Sequence, residues 1–162
     1  MKNLVFFLAL LCSTSLVAQF SFNENGTGIQ SATNTASGDR STAMGNFTIA
    51  PAFASTAMGR ETTASGDYST AMGNGTTASG SRSTAMGQST TAIGFASTTM
   101  GQVTRAIGDW STAMGYRTEA GGSSSTSMGR ETKAIGNYST AMGYYTTASI
   151  SHSTAMGYYT TA

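Results

Sequence analysis

Hydrophobic and polar positions repeat along this chain every fourteen residues, from about residue 34 to residue 162. The block Ser-Thr-Ala-Met-Gly begins at Ser41 and occurs nine times at this spacing, as STAMG, STTMG or STSMG, without an insertion. Ser55 to Tyr68 is a representative unit, and its two halves, STAMGRE and TTASGDY, resemble each other. A fixed period of this kind indicates an array in which each repeat stacks on its neighbours.

Each half of the unit predicts a short strand followed by a tight corner, because seven residues are too few for a helix pair and the regular glycines disfavour helix. Side chains of a strand alternate between its two faces. Residues at equivalent places in successive repeats form a column, and the Thr63 column also holds arginine, glutamate and lysine, so it must face solvent. The columns of Thr62 and Ala64 then face inward. The prediction is an all-β parallel roll, or solenoid, of fourteen-residue rungs around a narrow lumen.

By the symmetry of the two halves, Ser55 and Ala57 point inward, whereas Thr56 and Met58 point outward. The Met58 column holds methionine in every repeat. Either methionine fills the lumen after all, or another chain covers an apolar stripe too large to stay in water. The second arrangement is favoured, because a lumen of small residues buries little apolar area and burying a methionine contributes about 1.5–3 kcal/mol. The predicted oligomer contacts are Met44, Met58, Met72, Met86, Met100, Met114, Met128, Met142 and Met156.

Charged and aromatic residues vary chiefly at the corners. All eleven aromatic residues after Phe22 lie in the columns of Arg60, Glu61, Asp67 or Tyr68. Exposed corners suit recognition, and tyrosine and tryptophan offer a large contact area with a polar tip. The alternative is that these rings stack from rung to rung and stiffen the array. The candidate ligand contacts are Trp110, Tyr144, Tyr145, Tyr158 and Tyr159.

The N-terminal region has the features of an export signal. Lys2 supplies a positive charge, residues 4–11 form an apolar run too short to span a bilayer, and smaller residues lead to a cleavage site after Ala18. The predicted divisions are a signal peptide over 1–18, a lead-in over 19–33 and the roll over 34–162. Cys12, the single cysteine, is expected to be removed with the signal peptide, so the exported chain has no disulfide. The alternative is that Cys12 is a lipid-attachment site.

Three further positions depart from the repeat. Pro51 removes a donor from the predicted ladder, so its rung is either strained or does not need that hydrogen bond. Ala52 and Ile150 replace corner glycines, but neither shifts the period, so the roll is expected to continue through both. Ala162 lies in the middle of a rung without a capping segment, which leads us to expect a chain truncated at its C-terminal end.

The composition favours no catalytic chemistry. Only 9% of residues are charged and the net charge is +1, so no basic excess points to nucleic acid and no charge run points to a membrane surface. His152, the single histidine, has no partner for a metal site or a catalytic triad. Asp39, Asp67 and Asp109 follow corner glycines and are interpreted as turn residues. We expect no enzyme, cofactor, metal or small-molecule substrate.

The pattern SxAxGxxTxAxG, seen from Ser55 to Gly66, resembles the head repeats of trimeric autotransporter adhesins of the YadA-like type over residues 34–162. The resemblance implies a left-handed roll, a homotrimer and a place at the bacterial surface, on the outer membrane. Family heads more often carry isoleucine or valine where this chain has methionine. The membrane anchor of such adhesins is not expected within this chain.

Three functions remain open at this point. The first is an adhesin head that attaches to a host cell surface or an extracellular-matrix protein, and it is favoured. The second is a structural spacer of a surface fibre without its own ligand. The third, the least favoured, is an ice-binding solenoid, suggested by the threonine rows Thr42–Thr154 and Thr48–Thr160. A flat ice face needs two outward hydroxyl rows on one strand, whereas the outward partner of Thr56 is Met58.

Overall fold

The structure, a computed structural model, describes residues 21–22, 29–30 and 33–162. The predicted signal peptide and Cys12 lie outside these residues. Within the described part, no helix is long and apolar enough to cross a membrane. Two short strands come first, β1 (Ser21–Phe22) and β2 (Ile29–Gln30), and they pair in antiparallel fashion.

Each following rung contributes a strand of five residues, and all but the first and last also contribute a strand of two. The five-residue strands are β3 (Thr42–Asn46), β4 (Thr56–Arg60), β6 (Thr70–Asn74), β8 (Thr84–Gln88), β10 (Thr98–Gln102), β12 (Thr112–Tyr116), β14 (Thr126–Arg130), β16 (Thr140–Tyr144) and β18 (Thr154–Tyr158). The two-residue strands are β5 (Thr63–Ala64), β7 (Thr77–Ala78), β9 (Thr91–Ala92), β11 (Arg105–Ala106), β13 (Glu119–Ala120), β15 (Lys133–Ala134) and β17 (Thr147–Ala148). Isolated bridges at Ile49 and Thr161 extend the second set at both ends.

The strands form two sheets that face each other across the lumen. The long sheet contains β1, β2 and the five-residue strands, and the short sheet contains the two-residue strands. From β3 onward all pairing is parallel, with each residue opposite the one fourteen positions later, as Met58 is opposite Met72. The predicted parallel roll of fourteen-residue rungs is confirmed.

The lumen is filled by small side chains, as the alternation of the sequence predicts. Ser55 and Ala57 enter it from the long sheet, and Thr62 and Ala64 enter it from the short side; all four are completely buried. Met58 lies on the outer face and is half-buried in the single chain. Of the two arrangements left open by the sequence, the one with methionine in the lumen is therefore excluded.

Two corners join the sheets in each rung. The first corner consists of the last residue of the long strand and the residue after it, as at Arg60 and Glu61, and the second precedes the next long strand, as at Asp67 and Tyr68. Glu61 and Tyr68 adopt left-handed backbone conformations, with φ of 53° and 58°. Their N–H groups donate to the carbonyl oxygens of Asn46 and Phe53 in the preceding rung, each at 2.8 Å. These inter-rung hydrogen bonds hold non-glycine residues in a conformation they otherwise avoid.

The irregular positions do not interrupt the roll. Ser65 and Ser79 occupy the position of Pro51 in the two following rungs. Their N–H groups donate to alanine carbonyls of the next rung at 2.9 and 2.8 Å, a hydrogen bond that proline cannot make. The neighbouring Ala64 N–H still donates to Ile49 at 2.8 Å. The bond at Pro51 is therefore dispensable. Strand β18 pairs with β16 in full register beyond Ile150, so the roll continues there too.

Candidate binding surface at the corners

The first corner presents its side chains at regular intervals along the roll. Tyr145 and Tyr159 both have φ of 52°. The Tyr145 N–H donates to the carbonyl of Arg130 at 3.0 Å, and the Tyr159 N–H donates to the carbonyl of Tyr144 at 2.9 Å. Because the backbone repeats so closely, side chains of one column are placed directly against one another.

The last two described rungs form a cluster of four tyrosines at the first corner. Tyr144 stacks on Tyr158 with ring centroids 5.2 Å apart, and Tyr145 stacks on Tyr159 at 4.9 Å, with planes within 9° of parallel. Within each rung the two rings meet edge to face at 4.6 Å. Tyr158 and Tyr159 remain 71% and 61% exposed, so the cluster is a preformed aromatic surface open to solvent.

Arginine side chains extend this surface toward the middle of the roll. The Arg130 guanidinium lies between two rings of its own column, 5.5 Å from Tyr116 and 5.4 Å from Tyr144. Arg117 lies 5.2 Å from the Tyr116 ring. Cation–π contacts of this kind fix long, flexible side chains in place. The result is a continuous ridge of tyrosine rings and guanidinium groups, which we call the tyrosine–arginine ridge.

A cleft of about 400 Å³ lies beside the ridge. Three of its lining residues, Arg117, Glu131 and Tyr145, belong to one column of the first corner. The other two, Lys133 and Thr147, lie on the outer face of the short sheet, on β15 and β17. The cleft is therefore on the side of the roll away from the methionine column.

One hydrogen bond orders the cleft wall. The Tyr145 hydroxyl bonds to the Glu131 carboxylate, and this bond, with a smaller contribution from burial, raises the pKa of Tyr145 from 10.0 to about 12. Because the carboxylate accepts this bond, the protonated form of Tyr145 is favoured to a higher pH than in a free tyrosine. Arg130 Nε lies 3.7 Å from Glu131 Oε1, so the carboxylate also has a cation beside it.

The second corner carries a separate set of aromatic residues. Trp110 lies edge to face with Phe95 at 5.7 Å, and Phe53 lies in the same way against Tyr68 at 5.3 Å. His152 stacks on Tyr138 at 5.1 Å. The structure thus brings together four of the five candidate contact residues, whereas Trp110 lies at the other corner of the roll.

The acidic residues of the second corner support the turn. Asp67 Oδ1 accepts a hydrogen bond from the Phe53 N–H at 3.1 Å, and Asp109 Oδ1 accepts one from the Phe95 N–H at 2.8 Å. Asn137 does the same for Ser123 at 2.9 Å. The interpretation of Asp67 and Asp109 as turn residues is confirmed, and each links one rung to the preceding one.

The methionine column forms a stripe along the outer face of the long sheet. Its members are aligned strand by strand, as Met86 is with Met100 and Met100 with Met114. Each is half-buried by its neighbours, except Met156 in the last rung, which is 60% exposed. The threonine column beside it, which includes Thr98, is also half-buried, except for Thr154 in the last rung. These two columns are regular and do not vary, in contrast to the corners.

The comparison with known families agrees with this architecture. A family model described as the YadA head domain repeat matches residues 32–48, 50–76, 64–90, 106–132 and 134–160, which together make up more than half of the chain. The chain belongs to the YadA head repeat family. No curated protein matches the chain.

The YadA head repeat is a structural adhesin domain found at bacterial surfaces, in trimeric autotransporter adhesins. Membership explains why the rung is so uniform: the repeat is a scaffold, and most of the variation lies at the corners and on the outer face of the short sheet. Among the described residues, no three histidine, cysteine, aspartate or glutamate side chains are grouped in a way that could hold a metal ion.

The cleft is not evident from the amino-acid sequence alone. Arg117, Glu131 and Tyr145 follow one another at the repeat spacing, as do Lys133 and Thr147 in a second column. The period could therefore have shown that each set forms a row. It could not show that the two rows border one cleft, because that depends on how the long side chains are directed around the first corner.

Proposed function

We propose that this chain is the head of a bacterial surface adhesin, that it assembles as a homotrimer through the methionine column, and that exposed first-corner residues attach it to a host cell surface or matrix protein. The observation that carries the proposal is the contrast between an invariant scaffold and a variable, exposed ridge of tyrosine and arginine. Surface loops on a rigid scaffold are where binding residues concentrate. Export through the signal at residues 1–18 fits this role.

Attachment is tested by changing Tyr144, Tyr145, Tyr158 and Tyr159 together to serine in the full chain. The expected result is loss of adhesion to cells or matrix-coated surfaces, with an unchanged circular dichroism spectrum and oligomeric mass. Clustered tyrosines commonly supply much of the binding energy at an interface.

A matched control changes four aromatic residues of the second corner, Phe53, Tyr68, Phe95 and Tyr138, to serine. This variant is expected to adhere normally. Because Trp110 was also a candidate contact, Trp110→Ser is measured alone, and it separates a role of the second corner from that of the first. Adhesion that survives the first-corner changes would contradict the proposed attachment surface.

A structural spacer is the second candidate, and one observation favours it. Many corner rings contact each other within the chain, such as Tyr144 and Tyr158, which is the expected behaviour of rings that stiffen a rod. A spacer would lose stability, but no ligand, when these rings are removed. The ice-binding alternative has no comparable support, because the Thr48–Thr160 row lies on the lumen side; its members from Thr48 to Thr146 are fully buried.

A further inference from the structure

We propose that the cleft lined by Arg117, Glu131, Lys133, Tyr145 and Thr147 binds a carboxylate-bearing sugar residue, such as a uronic acid of an acidic polysaccharide. This inference rests on the proposed adhesive function and assigns it a ligand class. The cleft of about 400 Å³ lies toward the lower end of the range of roughly 300–1,000 Å³ typical of small-ligand sites. That size suits one sugar residue of a polysaccharide, with the neighbouring sugar residues lying along the tyrosine–arginine ridge.

The charge of the cleft favours an anion. Arg117, at the first corner, and Lys133, on the short sheet, are exposed cations that line the cleft. The carboxylate of the lining Glu131 is already engaged by the Tyr145 hydroxyl and lies near Arg130. Glu119 is the register neighbour of Lys133, but Arg105 flanks it on its other side. The cleft and the residues next to it thus carry four cations and two carboxylates, in a chain whose net charge is only +1.

The aromatic wall favours a sugar over a flexible acidic peptide. One face of the Tyr145 ring stacks on Tyr159, and the cleft extends toward the earlier rungs, so the other face borders the cleft. A rigid ring can pack against the apolar face of a sugar while its hydroxyl and that of Thr147 reach sugar hydroxyls. The Arg117 guanidinium and the Lys133 ammonium, which both line the cleft, can bind the carboxylate.

The position of the cleft keeps it accessible in the proposed assembly. Its residues lie at the first corner and on the short sheet, whereas the methionine column lies on the long sheet. Covering the methionine stripe therefore leaves the cleft open. Three equivalent clefts in one trimer would add avidity for a polymer that carries repeated carboxylates.

The test measures binding of oligogalacturonate to the full chain by titration calorimetry. Carboxyl-reduced oligogalacturonate serves as the neutral sugar, and poly-glutamate serves as the acidic peptide. We expect oligogalacturonate to bind and both other probes to bind at least about tenfold more weakly. Equal binding of the neutral sugar would overturn the role of the cations, and tighter binding of poly-glutamate would replace the sugar with an acidic peptide.

Variants locate the site. The double variant Arg117→Ala with Lys133→Ala, and separately Tyr145→Ala, should each weaken oligogalacturonate binding by about tenfold or more. Tyr145→Phe keeps the ring and should retain most of the binding. The control Arg60→Ala with Arg82→Ala removes two exposed cations elsewhere and should bind as the wild type. Wild-type affinity in the Arg117/Lys133 variant contradicts the proposed site.

Adhesion measured on the same preparations separates the two proposals. If the wild type adheres to cells or matrix but does not bind oligogalacturonate, the sugar site is wrong and the adhesive role stands. If the wild type binds oligogalacturonate through Arg117 and Lys133 but does not adhere to any cell or matrix surface, the ligand class stands and attachment to a host is wrong.

Discussion

Single hydroxyl groups in the lumen differ in whether they have a partner. Ser127 takes a position that is usually alanine, and its Oγ lies 2.7 Å from Thr132 Oγ1 across the lumen. Thr90 occupies the same column as Thr132 but faces alanine, and its buried Oγ1 has no partner among the described residues. An unpaired buried hydroxyl costs stability, whereas a paired one is close to neutral or favourable.

Replacing each of these threonines with valine should therefore have different effects. Thr132→Val leaves the Ser127 hydroxyl buried and unpaired, and we expect it to lower the free energy of unfolding by about 1 kcal/mol. Thr90→Val removes an unpaired hydroxyl and should be neutral or slightly stabilising. Urea denaturation of the two variants beside the wild type checks this difference, and equal effects would contradict it.

The ionisation of Tyr145 gives a second prediction at this scale. Its pKa is raised to about 12 by the hydrogen bond to Glu131, with Tyr144 and Tyr159 adding smaller contributions and Arg117 and Lys133 facing the same cleft. Since the folded pKa lies above the ordinary value of 10.0, the protonated form is favoured by folding. This stabilisation is complete below about pH 10 and is lost as the pH rises through 12.

Absorbance titration of tyrosinate should therefore show one tyrosine that ionises near pH 12, and Tyr145→Phe should remove that step. The stability difference between the wild type and this variant should shrink between pH 10 and pH 12. Tyr159→Phe is the control, because it keeps the Tyr145–Glu131 bond and should leave the late step in place. A late step that persists in Tyr145→Phe would assign it to a different tyrosine.

At the scale of the strands, the distance between rungs is limited by glycine. Gly87, which follows Met86 in β8, has φ of 117°, and a Cβ on it would collide with the carbonyl oxygen of Gly101 in the next rung. Gly121, which directly follows β13, differs, because a Cβ there meets Ile135 Cδ1 at 3.4 Å, an ordinary contact. Adding a Cβ therefore strains the structure at Gly87 and is tolerated at Gly121.

We expect Gly87→Ala to lower the free energy of unfolding by about 3 kcal/mol or more, because both the backbone conformation and the rung spacing must change. Gly121→Ala should be within about 0.5 kcal/mol of the wild type. Thermal unfolding followed by circular dichroism measures both. Similar stability of the two variants would mean that the rungs can separate at Gly87 without loss.

Strands and their faces could be predicted from the sequence because each depends on a repeated local rule. Charged residues in the Thr63 column indicate which face is exposed to solvent, and the fourteen-residue period predicts which residues pair between neighbouring strands. The corner conformation could not be predicted in this way. Val103 has φ of 58°, which a β-branched residue avoids in isolation, and it is held there by the hydrogen bond from its N–H to the Gln88 carbonyl at 2.9 Å. That bond exists only after the rungs stack.

For the molecule as a whole, the two outer faces have different properties. The long sheet presents a regular row of methionine and threonine that does not vary, as at Thr84 and Met86. The short sheet presents Thr91, Arg105 and Glu119 in successive rungs, which is typical of a surface that stays in water. A face that is to be covered by identical chains must keep the same shape in every rung, whereas an exposed face need not.

The proposed trimer interface is tested by changing Met72, Met86 and Met100 to aspartate in the middle of the stripe. Full burial contributes about 1.5–3 kcal/mol per methionine, and a buried carboxylate without a partner is strongly unfavourable. Sedimentation should therefore show the wild type as a trimer and the variant as dissociated chains. The control places aspartate at Thr63, Thr77 and Thr91 on the short sheet, where the same charges should leave the trimer intact. A wild-type chain that sediments as a folded monomer would mean that the methionine face does not hold a trimer together, and that the lumen and the inter-rung hydrogen bonds suffice to stabilise one roll.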